Sequence, residues 1–276
     1  LWELREEIRS RRPLIHCITN PISINDCANA VLAVGGCPIM AEHPLETEEI
    51  TDSSAALALN LGNITDARME SMKRSGRMAR QRGIPFILDA VGTACSRLRL
   101  AYARELIQEC KPSIIKGNIS ELRALCGVSS HAAGIDAGEK DRLTVENLEE
   151  MVSLLRSFSK DWNCTVFCTG PLDLILEKDR GVAVENGCAE MSRITGTGCV
   201  ANVLAASFLS AGSPFEAALL AAGLLGICGE LSAGASGPGS FRMQLLDWLY
   251  ALSEKQFAAK FKWKPLYGFP SPERKV

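Results

Sequence analysis

The most informative stretch of the sequence is Ile194-Thr195-Gly196-Thr197-Gly198-Cys199-Val200, which leads directly into a mostly apolar run from Ala201 to Ala211. The pattern predicts a glycine-spaced turn that opens a buried helix. Glycine allows the backbone of such a turn to approach a ligand closely, and the N-terminus of a helix carries a partial positive charge. Together these properties predict a cradle for an anion, such as a phosphate in transfer.

Cys199 lies in the first turn of this predicted helix. The field at a helix N-terminus favours the thiolate, so we expect the pKa of Cys199 to be lowered and the thiol to be a candidate base. The alternative is that Cys199 is a small core residue and that the glycines serve only tight helix packing.

The composition is that of an ordinary globular protein. The chain has 276 residues, of which 47% are hydrophobic and 22% charged, and its formal net charge is −2. Its length allows one large α/β domain or two small ones. No long linker interrupts it, so we interpret residues 1–276 as a single domain. The sequence has no basic block, which speaks against nucleic acid as a partner.

The sequence also shows no sign of a membrane segment or of secretion. The longest apolar stretch, from Ala217 to Cys228, has 12 residues, which is too few to span a bilayer and predicts a buried helix. No basic start followed by an apolar region marks a signal peptide. The 11 cysteines lie mostly among aliphatic residues and lack ligand spacing with the three histidines, which favours free thiols over disulfides or a zinc site. We therefore expect a cytoplasmic protein.

Helix and strand signals alternate along the chain. Short apolar runs between helices predict βα units and a mainly parallel central sheet with helices on both faces, which is an α/β fold. The runs assigned to strands are Pro13–Thr19, Pro38–Ala41, Ala55–Leu61, Ile84–Asp89, Ile114–Lys116 and Thr165–Thr169, and a hairpin follows over Leu172–Glu177 and Val182–Glu185. The polar stretch from Ser129 to Arg142 is the best candidate for a mobile loop, and Val145–Phe158 is predicted as the next helix.

Polar residues end several of these strands. Ligands of parallel α/β sheets bind beyond the carboxyl ends of the strands, so these positions are the first candidates for a site. They are Thr19-Asn20, Asn60, Asp89, Lys116-Gly117-Asn118 and Thr169-Gly170.

Each of these positions has a functional and a structural interpretation. Asp89 suits Mg2+ held through water, but it also suits a helix N-cap or a salt bridge. The stretch Asn118-Ile119-Ser120-Glu121 is close to a capping box, and the alternative places Glu121 in a network of Mg2+ and phosphate. Lys116 suits a triphosphate or an ordinary strand end, and Thr169 suits a phosphate contact or a capping hydroxyl.

Six short motifs occur in order and at suitable spacing along the chain: Pro13–Asn20, Pro38–Ala41, Leu88–Gly92, Lys116–Glu121, Thr195–Cys199 and Gly237–Phe241. In this combination, the chain resembles the hydroxyethylthiazole kinases, a family of the ribokinase-like superfamily that acts in thiamine salvage. The resemblance extends from about Pro13 to Leu252. It implies a ribokinase-like fold and phosphorylation of the hydroxyl of 4-methyl-5-(2-hydroxyethyl)thiazole with ATP and Mg2+. It further implies a homotrimer with substrate sites between subunits.

The resemblance also implies roles for individual residues. The residues that would contact the thiazole are Asn20, Ile22, Met40 and Gly196. Lys116 and Thr169 would contact the phosphates of ATP, while Asp89 and Glu121 would belong to the Mg2+ network. The backbone N–H groups that would stabilise the transferring phosphoryl group are those of Gly196, Thr197 and Gly198. Cys199 stands where most ribokinase-like enzymes carry an aspartate base.

Two departures from the family pattern leave alternatives open. Ala90 replaces the usual proline, which loosens the turn but keeps the carboxylate of Asp89. Lys116 replaces the usual arginine, which keeps the charge but loses the paired donors. The alternatives are a binding protein that has lost turnover and, among enzymes, a hydroxymethylpyrimidine kinase, against which the motif from His16 to Asn20 speaks.

Overall fold

A computed structural model of the chain describes residues 1–129, 143–144, 147–266 and 268–269. The candidate mobile loop over Ser129–Arg142 therefore lies outside the described residues, apart from Ser129. The start of the helix predicted over Val145–Phe158 lies outside them as well.

The described residues form one nine-stranded sheet. Its strands are β1 (Leu14–Ile18), β2 (Cys37–Ile39), β3 (Ala56–Asn60), β4 (Phe86–Asp89), β5 (Ile114–Asn118), β6 (Thr165–Thr169), β7 (Asp173–Glu177), β8 (Arg180–Val184) and β9 (Trp263–Pro265). Their order across the sheet is β2-β1-β3-β4-β5-β6-β7-β8-β9. Neighbours from β2 to β6 pair in parallel, and the last three pairings are antiparallel. The predicted parallel sheet and the β7–β8 hairpin are confirmed.

Helices cover both faces of this sheet. They are α1 (Trp2–Arg11), α2 (Ile24–Val34), α3 (Thr47–Asp52), α4 (Asp66–Arg82), α5 (Arg97–Cys110), α6 (Ile119–Leu125), α7 (Leu148–Trp162), α8 (Thr197–Leu209), α9 (Pro214–Ser232), α10 (Pro238–Ala251) and α11 (Glu254–Lys260). A 3-10 helix over Ala189–Arg193 precedes α8.

The core is divided by the sheet into two apolar clusters. Successive side chains of a strand point to opposite faces, and in β3 Ala56 and Ala58 join one cluster while Leu57 and Leu59 join the other. The alanine side is packed by residues of α2, α8, α9 and α10. The leucine side is packed by residues of α4, α5, α6 and α7. Because both faces are covered, β3 and β4 are apolar on both sides of the sheet until the polar residue that ends each of them.

The helix α9 is buried almost all round. It begins with the capping box of Ser213 and Glu216 and carries Pro214 in its first turn, and these are local signals for a helix start. It is long and apolar enough to cross a membrane by length and composition, but 83% of that apolar window is buried inside the protein. We therefore assign α9 to the core, as predicted from the apolar run within it.

The carboxyl ends of the parallel strands meet at one edge of the sheet. The register places Asn60 beside Asp89, Asp89 beside Lys116, and Asn118 beside Thr169. The helix α8 packs against β3 and β4, and Cys199 in its first turn contacts Asn60 at the end of β3, so the N-terminus of α8 lies at the same edge. Here the fold gathers the polar strand ends around the glycine-spaced turn.

Candidate active site

A buried ion pair lies at the centre of this edge. Asp89 is 1% exposed and Lys116 is 3% exposed. The Lys116 ammonium donates to the Asp89 carboxylate at 3.0 Å, and the side-chain amide of Asn60 donates to Asp89 Oδ2 at 2.9 Å. The three side chains come from the neighbouring strands β3, β4 and β5, so the sheet register fixes their spacing.

Burial and charge act on this pair in opposite directions. Burial raises the pKa of Asp89, while the Lys116 ammonium and the Asn60 amide oppose that shift. For Lys116, burial lowers the pKa, but the negative charges of Asp89 and Glu121 outweigh burial and raise it. Lys116 is therefore a protonated cation held at the strand ends.

Glu121 is fixed by a capping box at the start of α6. Its Oε2 accepts from the backbone N–H of Asn118 at 2.8 Å, and Asn118 Oδ1 accepts from the backbone N–H of Glu121 at 3.0 Å. Its Oε1 accepts from the backbone N–H of Gly92 at 2.7 Å. Burial and the nearby Asp89 raise the pKa of Glu121 to about 7, against the effect of these N–H groups. The capping box that the sequence predicts is therefore present. Each carboxylate oxygen of Glu121 can still accept a further hydrogen bond.

The N-terminus of α8 meets this group of charges. Gly196 is the N-cap residue and has a φ of 89°, in the left-handed region that favours glycine. A Cβ at this position would lie 2.7 Å from the Cβ of Ser23, so glycine is also required for close packing. A Cβ at Gly198 would first meet the Lys116 Nζ, at 3.5 Å. An ammonium and the positive end of a helix thus converge, which is the electrostatic requirement of an anion site.

The Cys199 thiol lies beside this cradle, but its pKa is shifted in the opposite direction from the one expected. It is 8% exposed, and its Sγ accepts from the Asn60 amide at 3.4 Å. Burial and the charge of Asp89 raise its pKa, although Ser23, Lys116 and Asn60 act in the opposite direction. The prediction of a lowered pKa is therefore wrong, because desolvation of the thiol outweighs the field of the helix.

Asn20 and Ile22 lie in the loop that follows β1, next to the cradle. Asn20 Oδ1 accepts from the backbone N–H of Ile22 at 3.1 Å and from the side chain of Asn63 at 3.3 Å. A Cβ at Gly62 would collide with Asn20 Nδ2 and would lie 2.9 Å from Asn60 Oδ1, so Asn20 and Asn60 flank Gly62. Ile22 is 62% exposed, although it is a large apolar side chain.

Met40 and Thr169 lie towards opposite sides of the same edge. Met40 directly follows β2, is half-buried and packs against the core cluster on the α8 side of the sheet. Thr169 ends β6, and its hydroxyl is 3.5 Å from the carbonyl oxygen of Gly117. That distance is long for a hydrogen bond of a hydroxyl, so the Thr169 hydroxyl remains suited to a stronger acceptor.

Asn60 is the site residue whose role the sequence left unassigned. In the sequence it is one of several polar strand ends, yet its amide donates to both Asp89 and Cys199. Its Oδ1 accepts from the backbone N–H of Gly62 at 2.8 Å. The sequence signal for its role is an asparagine at the end of an otherwise apolar strand, because a buried amide must find hydrogen-bond partners.

A direct metal cage is not built into the part of the chain described by the structure, where no group of three or more His, Cys, Asp or Glu side chains is arranged so that it could hold a metal ion. Mg2+ rarely needs such a cage, because it keeps several waters and binds through one or two carboxylates and substrate phosphates. Asp89 and Glu121 beside an anion cradle therefore fit Mg2+ held through water.

The covered, mainly parallel sheet, with a buried cation and carboxylates at the start of a glycine-led helix, places the chain in the ribokinase-like fold class. A solved pyridoxal kinase from Entamoeba histolytica has the same fold, with a TM-score of 0.63 at 14% identity over 92% of this chain and 99% of its own.

Residues 5–255 match the model of the hydroxyethylthiazole kinase family. Hydroxyethylthiazole kinase 2 of Clostridium botulinum is 47% identical over 260 residues, which cover 94% of this chain and 98% of that protein. The structure of the hydroxyethylthiazole kinase protein from Pyrococcus horikoshii has a TM-score of 0.86 at 32% identity, over 96% of this chain and 98% of its own. The chain belongs to the hydroxyethylthiazole kinase family and is therefore a phosphotransferase.

Proposed function

We propose that this protein phosphorylates the hydroxyl of 4-methyl-5-(2-hydroxyethyl)thiazole, with ATP as the donor and Mg2+ as the metal. The observation that carries the proposal is the position of the Lys116 ammonium, 3.5 Å from where a Cβ of Gly198 would lie at the start of α8. This arrangement suits a phosphoryl group in transfer, and membership of the family narrows the acceptor to a thiazole alcohol. The single nine-stranded sheet supports a one-domain enzyme.

The thiazole would bind at the edge formed by Asn20, Ile22, Met40 and Gly196. The amide oxygen of Asn20 is held by the Ile22 backbone and by Asn63, and this turns the amide nitrogen towards Gly62. Ile22 supplies an exposed apolar surface for the ring. Gly196 packs against Ser23 and joins this edge to the phosphate cradle.

The phosphates of ATP would lie over the N-terminus of α8. The backbone N–H groups of Gly196, Thr197 and Gly198 would stabilise the transferring phosphoryl group together with Lys116. Thr169 would donate its hydroxyl to another phosphate oxygen. Phosphoryl transfer passes through a loose transition state, so positioning and charge stabilisation supply most of the rate.

Asp89 and Glu121 would hold the metal through its bound waters. Both carboxylates are buried beside the cradle, and their oxygens keep acceptor positions beyond the bonds already described. Mg2+ at this place would neutralise charge on the phosphates. Lys116 offsets the charge of Asp89 in the protein alone.

Cys199 would orient the acceptor hydroxyl and receive its proton. Burial and Asp89 raise the pKa of the thiol, so the resting group is a neutral thiol rather than a thiolate. A strong base is not required when the transition state is loose. We therefore assign Cys199 to a positioning and late proton-accepting role.

The assembly that we propose is a cytoplasmic homotrimer with sites between subunits. Among the described residues, the large apolar side chains that are exposed include Ile22 at 62%, Leu45 at 83% and Met243 at 69%. The helix that carries Met243 is tied to α2, which follows Ile22, by the ion pair of Arg242 and Asp26. Exposed apolar residues near a site suit a partner subunit. The 11 free cysteines suit a reducing compartment.

A panel of acceptor alcohols tests the proposal. Release of ADP is measured in a coupled assay with the thiazole alcohol, with hydroxymethylpyrimidine, and without an acceptor. We expect turnover that depends on the thiazole alcohol. Preference for the pyrimidine would reassign the substrate, and tight binding without turnover would make the protein a sensor.

A further inference from the structure

Arg68 is a buried cation in an unfavourable place. It lies in the first turn of α4, where its own backbone N–H is capped by Thr65, and it is 4% exposed. The N-terminus of a helix disfavours a positive charge, and burial removes the hydration of the guanidinium. Burial accordingly lowers the pKa of Arg68, and only Glu42 acts against it. Local conflicts of this kind concentrate at functional sites.

The guanidinium connects three loops at the carboxyl edge of the sheet. It donates to the carbonyl oxygen of Thr19, which follows β1, and to that of Asn63, which follows β3, at 3.4 Å. Its Nε lies 3.5 Å from the carboxylate of Glu42, which follows β2. Ser71, one turn further along α4, donates to the carbonyl oxygen of Glu42 at 2.7 Å.

These loops carry the residues assigned to the thiazole. Thr19 immediately precedes Asn20, and the side chain of Asn63 donates to Asn20 Oδ1. Glu42 lies two residues after Met40. One side chain thus fixes the spacing between Asn20 and Met40. Only arginine has a rigid set of donors that can satisfy several acceptors in different directions, whereas lysine is a single point charge.

We propose that Arg68 is a positioning residue for the acceptor alcohol, and that it governs affinity for the alcohol without acting on ATP. The inference rests on the proposed function, because that function places the alcohol at Asn20 and Met40. The groups assigned to ATP are elsewhere: Lys116 lies in β5, two residues before its end, and the cradle is at the start of α8. Loss of the Arg68 contacts should therefore displace the residues that bind the alcohol and leave the groups that bind ATP in place.

The experiment compares Arg68→Lys and Arg68→Met with Arg74→Met. Arg74 is an exposed arginine of the same helix, paired with Glu70, and it is the matched control. Steady-state KM values for the thiazole alcohol and for ATP are measured, together with alcohol binding by calorimetry and thermal melting. We expect Arg68→Lys to raise KM and Kd for the alcohol roughly tenfold, because small misplacements of substrate-positioning groups are costly. We expect the KM for ATP to stay within about twofold.

The outcomes separate this inference from the proposed function. A folded Arg68→Lys variant with unchanged affinity for the alcohol, or with equal losses for alcohol and ATP, would overturn the inference. If Arg68→Met does not fold, the comparison of Arg68→Lys with Arg74→Met is sufficient to test the positioning role of Arg68. If the wild type phosphorylates another alcohol instead, the proposed function fails. The role of Arg68 is then decided with that other alcohol: Arg68→Lys should raise the KM for the alcohol and leave the KM for ATP unchanged.

Discussion

Replacement of Gly198 tests the phosphate cradle most directly. Gly198 lies inside the first turn of α8, and its φ is outside the left-handed region, so an alanine can adopt its backbone conformation. The new Cβ would make an ordinary contact of 3.5 Å with Lys116 Nζ and would otherwise point into the cradle. Alanine is more favourable than glycine inside a helix by about 0.5–1 kcal/mol. Gly198→Ala should therefore fold normally, with an unchanged or slightly higher Tm.

The activity should nevertheless fall. Loss of one preorganised donor to a developing anion costs about 100- to 1,000-fold in kcat, and a methyl group in the cradle blocks such a donor. We expect at least a 100-fold loss of kcat for Gly198→Ala and a larger one for Gly198→Val, which adds two further methyl groups. The assay is ADP release with the thiazole alcohol, beside thermal melting. Gly196→Ala is the contrasting variant, because its Cβ would lie 2.7 Å from Ser23 and the backbone φ is 89°, so it should destabilise the fold.

Two results would refute this reasoning. A Gly198→Val variant with normal kcat would show that the phosphoryl group does not pass over the N-terminus of α8. A large fall in Tm for Gly198→Ala would show that the Cβ meets packed atoms instead of the open cradle.

Three further predictions concern single groups and the assembly. Cys199→Ser should keep alcohol binding and lower kcat about 10- to 1,000-fold, and an unchanged rate would leave the thiol as packing only. Asp89→Asn should raise the Mg2+ concentration for half activity and also lower Tm, since Lys116 loses its buried counter-charge; a Mg2+ titration identical to that of the wild type would make Asp89 purely structural. Light scattering should show a trimer, and a mixture of inactive Asn20→Ala and Cys199→Ala variants should regain partial activity. A mixed trimer that stays inactive would confine each site to one chain.

The parts of the fold that could be predicted from sequence are those with local signals. The strand over Phe86–Asp89 is an apolar run that ends on an acid, and the start of α9 carries serine, proline and glutamate at the capping positions. Both signals lie within a few residues, so they can be recognised without knowledge of the rest of the chain. The strand β9 gave no such signal, because Trp263–Pro265 is short and partly exposed, and its pairing with β8 depends on residues far away in the chain.

The pKa of Cys199 could not be predicted from the sequence, because it is set by tertiary packing. The start of a helix is visible in the sequence, and its field favours the thiolate. Burial of the thiol and its proximity to Asp89 depend on how α8 packs on β3 and β4, and these effects are larger. The contacts of Arg68 with Thr19 and Glu42 are likewise tertiary, and only its contact with Asn63 is local.

We propose that the buried pair of Asp89 and Lys116 is part of the catalytic machinery. A buried ion pair contributes little net stability, because two charges lose their hydration, and apolar residues of similar volume are often as stable. The pair lies at the strand ends, beside the start of α8, where charge serves a ligand. Lys116 is held by Asp89 at 3.0 Å and lies next to Gly198, so its charge is already oriented towards the cradle before any phosphate arrives. Charges fixed in advance need no reorganisation during the reaction, and such charge stabilisation, together with positioning, supplies almost all of the catalysis of phosphoryl transfer.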